Sequence, residues 1–378
     1  MVMDGMGRRR FVVGAVAGAA VAVSGSGAVA RGRERPLFLG TYTSVDGGGG
    51  GIGLATYDEV TGRITGRGTI EGVGDPSYLA LHPDRRTLYA VNERTAGAVT
   101  AVRLGRGGAG HRVLGERSSG GAGPCHLSVH PGGRWLLSAN YRSGSVAVHP
   151  IGPSGALGPL ADLVEHGSPA PGPGQSGPHA HQIVTSPDGG HVLAVDLGND
   201  TVYTYRLDQE KGKLELVSYA RTRPGAGPRA LTFHPSGRHA YLANEVDNTV
   251  VVCGYEPCSG RLTPGAPQST GTGSGVSYPA QLLVTRGGGF ACLANRGHNS
   301  LSRYAVEGGG GRLRLLETVP VGGDFPRHIA FSPSGRLLFA ANQRSGTVSV
   351  FAVGRADGRL RSTGPAFPAP VAVCALPL

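Results

Sequence analysis

A proline-centred frame recurs along the chain at nearly constant intervals, and this periodicity restricts the fold more than any single motif does. The proline stands at Pro83 (LHPDRRTLYAVNE), Pro131 (VHPGGRWLLSANY), Pro187 (TSPDGGHVLAVDL), Pro235 (FHPSGRHAYLANE) and Pro333 (FSPSGRLLFAANQ), and Arg286 fills the slot in VTRGGGFACLANR. Successive anchors lie 48, 56, 48, 51 and 47 residues apart, and nine places after each stands Asn92, Asn140, Asp196, Asn244, Asn295 or Asn342. Each frame reads as two short apolar strands folded about a polar turn. Alternating runs such as NTVVVCGYE and GTVSVFAV follow, then a turn such as PCSGRLT or ADGRLRS and a last short strand, making four strands per unit. A lone four-stranded sheet leaves apolar faces uncovered, so such units stack face to face around a ring.

Six units are complete, and the two chain ends supply a seventh. Near the C-terminus APVAVCALP sets Pro370 and Pro377 apart as Pro228 and Pro235 are, and reads as a first strand with nothing after it. Its remainder is LFLGTYTSVDGGGGGIGLATYDEVTGRI at the start, with Thr41 in the Asn slot and Tyr42 after it. A blade completed from both termini removes exposed sheet edges. The expected fold is all-β: a seven-bladed β-propeller of four antiparallel strands per blade, forming one domain over residues 36–378.

Gly (66) and Pro (27) are abundant, a composition that by itself points toward disorder, but they fall between regular apolar runs. The formal charge is +11, and only Lys211 and Lys213 are lysines. The cations are therefore guanidiniums, suited to bidentate contact with carboxylate or phosphate. No Lys/Arg run with interleaved aromatics occurs, which argues against nucleic acid as a partner.

Residues 1–30 have a charged start, an apolar stretch from Phe11 and an Ala28-Val29-Ala30 ending of the signal-peptidase type. Arg8-Arg9-Arg10-Phe11-Val12-Val13 reads as a twin-arginine signal, so export of a folded protein is expected, with residues 31–35 as a short linker. The apolar stretch is short for a membrane span, so no stable membrane insertion is expected once it is removed. Five cysteines leave at least one unpaired; Cys253 and Cys258 are close enough to bridge a turn, but buried free thiols are the expectation.

Pairing about Ser236-Gly237 sets His234 against His239 and, by extension, Arg229 against Asn244 with Glu245 adjacent. Because the first strand of every propeller blade lines the axial channel, equivalent positions gather at one mouth. Six places before the anchor stand Ser77, Cys125, His181, Arg229, Ala280 and Arg327; ten places after it stand Glu93, Tyr141, Leu197, Glu245, Arg296 and Gln343. His181, Arg229, Glu245, Arg296 and Arg327 come from consecutive blades and concentrate a base, an acid and three guanidiniums in one sector. His179 and His181 lack a third ligand for a metal. Gly47 to Gly51 has no following Lys-Ser/Thr, so it is no phosphate loop, and no Gly-x-Ser-x-Gly elbow occurs. The repeated His-Pro turns at His82, His130 and His234 recur with the fold and read as structural.

The motifs GTYT, GPHAHQ, GPRALTFHPSG, YLANE and LANRGHNS resemble the lactonase family of seven-bladed propellers, which includes bacterial 6-phosphogluconolactonase and fungal carboxymuconate lactonising enzyme. By that resemblance His181, Arg229, Glu245 and Arg296 match the family's active-site histidine, arginine, glutamate and second arginine. The resemblance implies hydrolysis of a sugar-derived or anionic lactone in carbohydrate metabolism, by a monomer without a cofactor. Glu245 or His181 is the general base, Arg229 and Arg296 hold the acyl oxygen or an acidic substituent, and His179 and Arg327 are further substrate contacts. Two other readings use the same residues: a secreted binding propeller without turnover, and a muconate-type lactonising enzyme.

Overall fold

The computed structural model describes residues 34–105, 110–167 and 175–378; the expected signal segment and most of its linker lie outside these. Strands form seven sheets. Blade I takes its inner strand, Ala372–Pro377, from the C-terminus and the other three, Glu34–Thr41, Gly51–Asp58 and Ile64–Glu71, from the start of the described chain. The inner strands of blades II to VII are Leu79–Leu81, Pro124–Val129, Ala180–Thr185, Pro228–Phe233, Tyr278–Val284 and Pro326–Phe331, each followed by three antiparallel neighbours in chain order. Blade VII departs slightly from the expected four strands, because Gly364 and Pro365 divide its outer edge into Leu360–Ser362 and Phe367–Pro368. Among the described residues no helix is long and apolar enough to cross a membrane.

Alternation along the second strands explains why the blades face one another. In His239–Asn244, Ala240 and Leu242 pack toward blade IV, while Tyr241 and Ala243 pack toward blade VI. Apolar clusters of this kind fill all seven interfaces, including the one between blades VII and I, where Phe339 meets Tyr57 with ring centroids 4.9 Å apart. The strict Asn register also has a cause: the side-chain amide of Asn244 donates to Thr249 Oγ1 at 2.9 Å, and that of Asn295 to Ser300 Oγ at 3.1 Å, closing the turn into the third strand.

One expected register is wrong in an informative way. Pro228, not Arg229, pairs with Asn244, and Ala230 pairs with Ala243, so Arg229 is the extra residue of a β-bulge. The same interruption falls at Cys125, His181 and Arg327. A bulge bends the strand and re-aims the inserted side chain, here at the channel mouth. All five cysteines are free; Cys125, Cys253, Cys292 and Cys374 are buried and Cys258 is exposed, so no bridge joins Cys253 to Cys258.

Candidate active site

The bulge residues and the residues just past the second strands meet at one end of the channel. Glu245 Oε2 lies 3.0 Å from Arg229 Nε and 2.5 Å from an Arg296 terminal nitrogen. Both guanidiniums are buried and fixed from behind: Arg229 donates to the Ala280 carbonyl, and Arg296 Nε donates to the Tyr278 carbonyl at 3.2 Å and lies 5.3 Å from the Phe325 ring centroid. Both cations are thus held in place, and Glu245 is the counter-charge shared by a fixed pair of forks.

This arrangement sets the protonation states. Burial alone would raise the Glu245 carboxyl, but Arg296 and Arg229 overcome it and hold the group below the usual carboxylate range. Burial, together with the neighbouring Arg296 cation, draws Arg229 down to about 9, which leaves it cationic at neutral pH. His181 is pushed well below the ordinary imidazole value, first by burial and then by Arg229, Arg327 and Arg296. It is therefore neutral, its ring set edge-on to Tyr141 at 5.7 Å and its carbonyl accepting from the Cys125 thiol at 3.3 Å, while its side chain makes no hydrogen bond to a described residue.

Arg327, from blade VII next to the blade of Arg296, lies 3.7 Å from Glu93 Oε1 with its guanidinium 6.0 Å from the Tyr42 ring centroid. Glu93 accepts hydrogen bonds from the Tyr42 hydroxyl at 2.8 Å and from Ser77 Oγ at 2.5 Å. The charge sector is thus wider than expected: Glu93, Tyr42 and Ser77 belong to it. Their signal was present in the sequence, since Ser77 and Glu93 occupy in blade II the slots that Arg229 and Glu245 occupy in blade V. His179 lies against the neighbouring wall, its ring stacked on Tyr141 at 4.6 Å and its Nδ1 2.9 Å from the Tyr141 carbonyl. Its backbone N–H donates to Asp196 at 2.7 Å, and the other carboxylate oxygen of Asp196 meets His166 Nδ1 at 2.6 Å. The structure therefore brings His181, Arg229, Glu245, Arg296 and Arg327 to one mouth and gives His179 a supporting contact there. Among the described residues no three His, Cys, Asp or Glu side chains converge as a metal-ligand set.

The chain is 31% identical over 343 residues to the 6-phosphogluconolactonase of Bacillus subtilis, spanning 89% of this chain and 96% of that protein. It is 25% identical over 335 residues to the 6-phosphogluconolactonase of Formosa agariphila, spanning 86% and 94%. Among solved structures, the periplasmic gluconolactonase of Pseudomonas aeruginosa superposes with a TM-score of 0.85 at 32% identity, covering 92% of this chain and 99% of that one. The family model "Lactonase, 7-bladed beta-propeller" matches residues 36–377, from the opening strand of blade I to the C-terminal strand that closes it. An arginine-clamped carboxylate and a neutral imidazole at the mouth of a ring closed in this manner therefore belong to a member of the seven-bladed β-propeller lactonase family, a carboxylic ester hydrolase.

Proposed function

We propose that the chain hydrolyses a sugar-derived lactone outside the cytoplasm, at the cluster of His181, Arg229, Glu245 and Arg296. The observation that carries this reading is one carboxylate oxygen shared by two buried guanidiniums beside an imidazole held neutral. Lactone opening needs a deprotonated water, a counter-charge for the carbonyl oxyanion and a proton for the departing alkoxide. Of the two candidate bases, Glu245 is the weaker choice, because both arginines engage the same carboxylate oxygen. Neutral His181 takes one proton from water as its oxygen bonds to the carbonyl carbon. Arg229 and Arg296 stabilise the resulting oxyanion, and Glu245 keeps their forks aligned. Collapse breaks the ring C–O bond, and the imidazolium returns the proton to the alkoxide, giving a hydroxy acid that ionises. The oxyanion also offsets the arginine charge that depresses His181, so the imidazole is a better base with substrate bound than without. Arg327 and His179 contact the remaining polar groups of the ring.

Three observations support the setting. Residues 1–30 read as a twin-arginine signal followed by a linker at 31–35, leaving 36–378 as the working domain; the solved relative from Pseudomonas aeruginosa is periplasmic; and that relative is a gluconolactonase. An exported enzyme of carbohydrate metabolism would meet plain aldonolactones rather than phosphorylated ones. The test is acid release by the purified mature protein from gluconolactone and its 6-phosphate, corrected for spontaneous opening. Turnover of the plain lactone, with kcat about 10²–10⁴-fold lower in His181→Gln, is expected; no release above background from either compound overturns the reading.

A further inference from the structure

Beneath the Arg229–Glu245–Arg296 cluster the channel contains a cavity of about 20 Å³, room for about one water-sized particle. His126, Gln182, Gln281 and His328 line it from the same register slot of four blades, five places before the anchor. Each spends its acceptor on the backbone of the following blade. His126 Nδ1 accepts from the Ile183 N–H at 3.4 Å, Gln182 Oε1 from Leu231 at 2.5 Å, Gln281 Oε1 from Ile329 at 3.3 Å and His328 Nδ1 from Ala375 at 3.3 Å. Burial pushes both imidazoles down to about 3. They are neutral, and with Nδ1 accepting, the single proton of each is on Nε2.

What these side chains keep for the cavity is therefore two imidazole N–H groups and two carboxamide NH2 groups, none bonded to a described residue. Arg229 and Arg327 add guanidiniums to the lining, Ser77, Tyr78, Cys125 and His181 complete its polar part, and no Asp or Glu belongs to it. Donors outnumber acceptors in this lining and its only formal charges are two guanidiniums, so it favours a negative occupant over water. We infer that this cavity binds one small monovalent anion of chloride size, held by the four N–H donors beneath Arg229. The inference stands on the inner-strand ring; the cavity shares His181, Arg229 and Arg327 with the mouth above it, and its test reads bromide binding rather than turnover. The anion adds negative charge to a lining that carries none of its own, beneath an Arg229 already fixed by the Ala280 carbonyl and paired with Glu245.

Bromide is the probe. Crystals of the mature protein grown in bromide should show one anomalous peak on the channel axis, within hydrogen-bonding reach of the His126, Gln182, Gln281 and His328 nitrogens. In solution, bromide titrated against a bulky anion at constant ionic strength should raise Tm saturably, by about 2 °C at tenfold excess over Kd. Gln281→Glu keeps an oxygen for the Ile329 N–H but replaces the donor with negative charge, and should abolish both signals. Gln182→Glu repeats the test on a second blade if the first variant does not fold. A cavity that holds only water in bromide, or a bromide-dependent rise of equal size in wild type and variant, overturns the inference.

Discussion

Replacing Glu245 with Gln probes the centre of the site without changing its size. In the native protein a single carboxylate oxygen lies 3.0 Å from one guanidinium and 2.5 Å from another, and the two arginine side chains are only 6% and 5% exposed. Removing one partner of a buried ion pair costs about 3–5 kcal/mol, since the remaining charge keeps its desolvation penalty and loses its compensation. Glu245 itself is 23% exposed, so water offsets part of this and the lower end of the range applies. For a domain of about 345 residues, the entropy of unfolding near Tm turns about 3 kcal/mol into a fall of about 4 °C. The assay is thermal melting by circular dichroism at neutral pH and low salt, with Arg296→Met made singly and together with Glu245→Gln. The double variant should recover part of the loss, because one unpaired cation has gone. The pH dependence has a fixed sign. The carboxyl is depressed in the folded state, so its stabilisation is present above the unfolded carboxyl value and is lost as pH falls through the lower folded one. If Glu245→Gln melts within 1 °C of wild type, the carboxylate does not compensate two buried cations and the electrostatic account of the site is wrong.

Further outcomes follow from the same geometry. His181→Gln should lower kcat by about 10²–10⁴-fold while leaving KM within a few-fold; a KM effect without a kcat effect would make His181 a binding group instead. His126 and His328 are both held near 3 in the fold against 6.5 when unfolded, so the stability they confer is complete above about pH 6.5 and falls away as pH drops toward 3. His328→Gln, which keeps an acceptor for the Ala375 N–H, should flatten the stability–pH slope between pH 6 and 4 by about 1.4 kcal/mol per pH unit, measured by urea unfolding. An unchanged slope would mean that His328 titrates normally in the fold. Ending the chain after Val371 removes the inner strand of blade I, which carries the Cys374 and Ala375 contacts of two interfaces, and should abolish cooperative unfolding; a native-like melt would show that ring closure is dispensable.

The architecture was legible because its determinants are local and repeated. Anchors about fifty residues apart, the Asn closing each third-strand turn and the matching prolines at 370 and 377 are all readable along the chain. The rim was legible for the same reason, since equal register slots become spatial neighbours in a ring. Two features were not. The bulge at Arg229 does not follow from alternation, which pairs residues one to one, although a proline seven places before the anchor, as at Pro124, Pro228 and Pro326, stands at its start in several blades. Glu93, Tyr42 and Ser77 stand in the same rim slots, but their partner Arg327 is remote from them in the chain. The pairing of blade VII with blade II, past the blade shared by the two termini, is a property of the closed ring and not of sequence order.

In the proposed mechanism the two clamped guanidiniums and the neutral imidazole act together on one ester carbonyl. A crystal structure of the mature protein with the aldonate product bound tests it most directly. The product carboxylate is expected between Arg229 and Arg296, with its nearer oxygen in reach of His181. An aldonate bound on another surface, or at the mouth with its carboxylate turned toward solvent, would contradict it.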